Sequence, residues 1–171
     1  MPEPLSQPKP PQPLHADHLE LRPFTRDELE TAADAPTMTH FAWGFSSAEN
    51  TVGARSAIEA GERFVTESEH TRLAVVERAS GQAAGTADFT GPVMDGEFEM
   101  ESSLVPGTHR RGPAGETLDA LVERAFEVPG VRAVCAAVPE DMAPAHRLLV
   151  GRGFVRRHCA DSEISYRLPR P

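Results

Sequence analysis

The stretch best equipped for chemistry runs from EFEMESSL (97–104) into VPGTHRRGPAGETL (105–118). In the first part Glu99, Glu101 and Ser103 alternate with Phe98, Met100 and Leu104. Successive side chains of a strand point to opposite sides, so the acids share one face and the apolar residues the other. A carboxylate so placed can take a proton from an ammonium nucleophile, directly or through water. A solvated strand face in an acidic protein shows the same pattern. Asp88, on the expected neighbouring strand, would extend the acids into a patch that attracts cations.

The second part is a glycine-containing loop that delivers the chain to a helix start. Backbone N–H groups and the helix dipole make such a start suited to a phosphate or pyrophosphate. Arg110 and Arg111 add positive charge there, while Gly112 and Ala114 keep side chains small. An ordinary surface loop before a helix would look the same.

The remaining candidates are scattered. His40, Trp43 and Phe45 lie in the aromatic loop HFAWGF, where packing accounts for them equally well. His146 is expected to be exposed on a helix, and His158, beside Arg156 and Arg157, to lie on a strand surface. The histidines show no His-Glu-x-x-His or Cys/His spacing, so no metal site is expected. Cys135, in the apolar run VRAVCAAV, reads as a core residue. With Cys159 it makes neither a zinc site nor a disulfide framework, and a reducing, cytoplasmic setting follows as the default expectation.

The elements that must position these residues are legible from periodicity. LELRPF (19–24) alternates as a strand, and Thr25 to Glu28 form a capping box that should start a helix ended by Pro36. A second capping box, Ser46 to Glu49, precedes a helix with Ala54, Ile58, Gly61 and Val65 on one stripe. Strands are expected at 71–78, 82–91 and 97–104, joined by turns at Ser80-Gly81 and Met94-Asp95-Gly96. Leu118, Leu121, Val122, Ala125 and Phe126 keep helical spacing. A buried strand at 131–138, a helix from about Met142 to Arg152 closed by Gly153, and a terminal hairpin complete the chain. This order implies an α/β fold: a mixed, mostly antiparallel central sheet with helices on both faces.

The chain has 171 residues, enough for one domain. Residues 1–16 carry six prolines, exclude helix and central strand, and read as a disordered tail before a folded unit at 17–171. Lysine plus arginine number 17 against 26 acids, a net charge of -9, which argues against nucleic acid as a partner. No apolar run is long enough to span a bilayer, so no membrane partner is expected. Lys9 is the only lysine beside many arginines and alanines, the usage of a GC-rich bacterial genome.

Three segments taken in order carry a resemblance: LELRPFT, FEMESSLVPGTHRRGPAGETLDALVERAFE and VRAVCAAVPEDMAPAHRLLVGRGF. Over roughly residues 19–168 the chain resembles the GNAT superfamily of N-acyltransferases, and most of all the branch that includes the ribosomal-protein-alanine N-acetyltransferases. The resemblance implies acetyl-CoA as cofactor and direct acetyl transfer to a primary amine, on a protein N-terminus or a small molecule. It implies that the backbone of His109, Arg110, Arg111, Gly112 and Ala114, continued by Gly115 and Glu116, cradles the pyrophosphate. Backbone at Ser103, Leu104 and Val105 would pair with the pantetheine arm and polarise the thioester, with Glu101 or Glu99 as base. The aromatic loop at 40–45 would border the acceptor site, and a homodimer is among the expected assemblies.

Five departures bear on this expectation. His109 stands where Gln or Arg is usual, and Pro113 lacks an N–H. Met142 replaces a frequent Asn that contacts the cofactor arm. Ala145 replaces Ser, and Leu149 replaces a Tyr that protonates the leaving thiolate in many members. A GNAT-fold protein that binds acyl-CoA without transfer is therefore the alternative, and malonyl-CoA or another acyl donor a third.

Overall fold

Thr25 begins its helix as the capping box requires. Its Oγ1 accepts the Glu28 N–H at 3.2 Å, and the Glu28 carboxylate accepts the Thr25 N–H at 2.8 Å. Arg22 closes on the same carboxylate through two bonds of 2.8 and 2.7 Å. Burial pushes the Glu28 carboxyl upward, but the Arg22 and Thr25 bonds outweigh it and hold the group below the usual carboxylate range.

The computed structural model describes residues 12–28, 30, 73–104 and 112–171. The helix stop at Pro36, the aromatic loop with His40, Trp43 and Phe45, the second capping box, and Val105, His109, Arg110 and Arg111 lie outside the described residues.

Within them, eight strands form one sheet in the order β1-β2-β3-β4-β5-β6-β8-β7. The strands are β1 Leu14–His15, β2 Leu19–Pro23, β3 Leu73–Glu77, β4 Ala83–Met94, β5 Glu97–Leu104, β6 Ala133–Pro139, β7 Val155–Ala160 and β8 Glu163–Pro169. Helix α1 (Pro113–Glu127) joins β5 to β6, and α2 (Ala143–Gly151) joins β6 to β7. β5 and β6 are parallel, and every other pairing is antiparallel.

The sheet starts earlier than expected. Leu14 pairs with Leu21 and packs against the core, so the segment read as tail gives up two residues to an edge strand. β4 also runs past residue 91, to Met94, with a register shift that absorbs Gly91, Pro92 and Val93.

Both described helices cover one face. There Leu118 and Leu121 of α1 and Leu149 of α2 join Leu21, Val75, Phe89, Phe98, Met100, Val134 and Tyr166 in the core. Phe89 and Phe98 stack with centroids 4.2 Å apart. On the opposite face Ala74, Val76 and Thr86 are buried too, whereas Glu99, Glu101 and Ser103 of β5 are exposed.

Candidate active site at the β5–β6 opening

β5 is paired unequally on its two sides. Against β4 it keeps register to Leu104, opposite Gly85. Against β6 it pairs at only three positions, ending at Glu99 with Cys135. Beyond that point no β5–β6 pairing is described, and the facing strand edges form an opening in the ladder. Gly85 contributes to its shape: a Cβ there would collide with the Ser103 carbonyl and lie 2.9 Å from the Leu104 Cα. Any side chain at position 85 would push the end of β5 away from β4.

Alternation then sorts β5 as its sequence predicts. Phe98 and Met100 are buried on the helix face, while Glu99, Glu101 and Ser103 are exposed on the other. Glu101 pairs in register with Asp88 and Glu99 with Thr90, so the acids do share a face.

The closed end of the pair is tied down by charge. Glu97 accepts bonds from Arg167 (2.7 Å) and Arg157 (2.8 Å), with the Cys135 thiol at 3.4 Å. The Arg167 bond is the main reason its carboxyl lies below the usual range, with the Cys135 and Arg157 bonds adding to it. Cys135 is thus not the core residue its apolar neighbours implied. Strand alternation turns it toward Glu97, away from Val134 and Ala136. Partial burial and the Glu97 carboxylate push its thiol up to about 11.

On the helix face, α1 is the next described element after β5. Gly112, its N-cap, adopts a left-handed conformation at φ 85°, and Pro113 follows at the first helical position. Glu116 departs from the expected cradle: its N–H bonds the Gly112 carbonyl as an ordinary helical amide. Its carboxylate instead turns to His18, accepting the backbone N–H at 3.0 Å and meeting Nδ1 at 2.7 Å. Burial pushes this carboxyl upward, but the His18 contacts outweigh it and leave it lowered. With Pro113 lacking an N–H, Ala114 and Gly115 supply the first-turn N–H groups that have no partner within the helix. Thr117 Oγ1, fully buried one turn in, has no hydrogen-bond partner among the described residues.

On α2, Met142 is the N-cap and half exposed, Ala145 is partly buried, and Leu149 belongs to the core. His146 is not the exposed residue expected. Its Nε2 lies 2.9 Å from the Pro139 carbonyl, which can only accept, so that nitrogen carries the hydrogen. Nδ1 then accepts the hydroxyl of the buried Tyr166 at 2.8 Å. His158, by contrast, is exposed on β7 as expected. The sequence reading also missed Arg152. Its guanidinium bonds Asp119 of α1 at 2.6 and 3.1 Å and lies against Gly115. No local signal announces a contact between residues 33 apart, although a glycine inside the first turn of a helix is a cue.

The chain thus presents unpaired parallel strand edges and, on the face away from the helices, exposed acids. The acetyltransferase (GNAT) domain family matches residues 18–155. The chain belongs to the GNAT acetyltransferase family. It is therefore an acetyltransferase, and acetyl-CoA is its acyl donor. No curated protein matches the chain significantly in sequence. Solved structures share the fold. A Vibrio cholerae protein assigned as a ribosomal-protein-serine acetyltransferase has TM-score 0.73 and 17% identity, over 95% of this chain and 99% of its own. RimL, the ribosomal L7/L12 α-N-protein acetyltransferase, in complex with coenzyme A, has TM-score 0.68 and 12% identity, over 92% and 98%. The Vibrio fischeri ribosomal-protein-S5-alanine acetyltransferase has TM-score 0.65 and 14% identity, over 93% and 97%.

The described residues fit this donor. The first-turn amides of Ala114 and Gly115 suit its diphosphate, and none of the described residues would meet a Cβ at Gly112. The unpaired edges of β5 and β6 offer backbone groups for an extended amide-bearing arm. Among the described residues no helix is long and apolar enough to cross a membrane.

Proposed function

We propose that the chain transfers the acetyl group of acetyl-CoA to the primary amine of a protein N-terminus or a small molecule, by direct attack. The reading rests on the β5–β6 opening. It joins a helix start suited to phosphate on one face to exposed carboxylates on the other. When bound, acetyl-CoA supplies the acyl group as an activated thioester.

The chain's part is to bind, orient and handle protons. Amides at Gly112, Ala114 and Gly115 hold the diphosphate, with His109, Arg110 and Arg111 completing the loop. Backbone at Ser103 and Leu104, with that of Val105 next in the chain, polarises the carbonyl. Glu101 accepts the proton of the acceptor ammonium. It is preferred to Glu99 because it lies one step beyond the last β5–β6 pair, beside the opening. The acid face concentrates cationic acceptors, which suits an amine. The names of RimL and the Vibrio proteins favour a protein N-terminus over a free polyamine as the first acceptor to try. The transferase unit begins with β1 at Leu14 and runs to residue 171, preceded by the proline-rich segment.

The test is release of free coenzyme A thiol with acetyl-CoA and a panel of peptides beginning with alanine or serine, polyamines and aminoglycosides. Amine-dependent release is expected. Tight acetyl-CoA binding with no release from any amine would instead support the reading motivated by Leu149, Ala145 and Met142, a donor-binding protein without turnover.

A further inference from the structure

We propose that Arg152, held by Asp119 across Gly115, is a ligand for the diphosphate of acetyl-CoA. The inference rests on the reading that the start of α1 receives that diphosphate.

Three observations carry it. Glycine is among the poorest helix formers, yet Gly115 sits in the first turn of α1. A Cβ at that position would collide with the Arg152 guanidinium, with Cζ at 3.0 Å and Nη1 at 3.4 Å. The absent side chain is therefore the space the guanidinium fills. Second, Cα–Cβ bonds in a helix tilt toward its N-terminus, so this space overlies the turn that begins at Gly112. Arg152 thus brings its charge to the end of α1 where the first-turn amides are.

The third observation is donor arithmetic. Arginine has five N–H donors in a rigid fork. Asp119 engages Nε and Nη2 and leaves Nη1 without a bond to it. The bidentate contact fixes the fork, the side chain is still 33% exposed, and among the described residues Nη1 has no hydrogen-bond partner. A guanidinium braced on one edge and open on the other is preorganised for an oxyanion. The arrangement also makes one cofactor site out of two helices, since Arg152 is the C-cap of α2.

Calorimetric titration of the full chain with acetyl-CoA, and separately with acetyl-pantetheine, tests this, because acetyl-pantetheine lacks the diphosphate. Arg152→Met is expected to weaken acetyl-CoA binding about tenfold, the loss of one charge-assisted contact, and to leave acetyl-pantetheine binding unchanged. Arg152→Lys should recover part of the loss. Gly115→Ala, which keeps the arginine but fills its space, should weaken acetyl-CoA selectively as well, and serves if the methionine variant fails to fold. Equal affinity of wild type and both variants for acetyl-CoA overturns the inference and leaves the diphosphate reading standing. Equal loss on both donors overturns it in favour of a simple brace between helices. No acetyl-CoA binding by the wild type overturns the inference and the diphosphate reading together.

Discussion

The two ends of the β5–β6 pairing are built on opposite principles. At the closed end Glu97 is shared by Arg157 and Arg167, Phe98 stacks on Phe89 beneath it, and three register pairs join the strands. At the other end Glu101 and Ser103 stand on an exposed face, and the β6 side of the strand is unpaired. The same eight-residue strand is therefore stabilised over its first half and left available over its second. The comparison teaches where stability and activity should separate: substitutions before Glu99 should act on folding, and those at the exposed Glu101 and Ser103 after it on turnover.

The largest expected effect is at the closed end. Phe98→Ala removes a side chain that is only 2% exposed, and should cost about 3–5 kcal/mol in urea unfolding. A much smaller loss would mean that the vertex is not a packing anchor. Next, Glu101→Gln should lower turnover about a hundredfold while leaving acetyl-CoA affinity within error. An unchanged rate would remove Glu101 as the base and move attention to Glu99.

Glu97→Gln should cost about 1 kcal/mol, because its partners are partly exposed and water screens the pairs. The pH dependence has a definite sign. The Glu97 carboxyl is lowered by folding. Its contribution is therefore fully present above the unfolded value of about 4.3, and is lost as pH falls through the lower folded value. Thermal melts of wild type and Glu97→Gln should then converge as the medium is acidified. Divergence would break the comparison.

The smallest effect is chemical. With its thiol pushed up to about 11 and half buried, Cys135 should resist alkylation at pH about 8 while exposed Cys159 is labelled, as mass spectrometry would read.

Much of this was legible in the sequence because it depends on local period. The strand alternation that put Glu99 and Glu101 opposite Phe98 and Met100, and the Thr25–Glu28 capping box, need no distant partner. What escaped depends on register between remote segments. VRAVCAAV is apolar beyond Arg132, so nothing local says that Cys135 faces Glu97, 38 residues away. His146 meets Tyr166 only because β8 lies beside β6. Arg152 reaches Asp119 only because both helices share a face of the sheet. Leu14 was hidden by its prolines: Pro13 precedes the strand and costs the ladder nothing there.

The three-pair contact at the vertex has a consequence for how the molecule breathes. It is the sole ladder between β1–β5 and β6–β8 among the described residues, with α1 as the covalent and packed bridge over it. Those two groups of strands are each knit internally by longer antiparallel ladders. Amide exchange should therefore divide along this line, the C-terminal group opening as one cooperative unit before the whole chain unfolds. A ligand that hydrogen-bonds both strand edges would act as the missing rungs, slowing exchange on both sides of the seam at once.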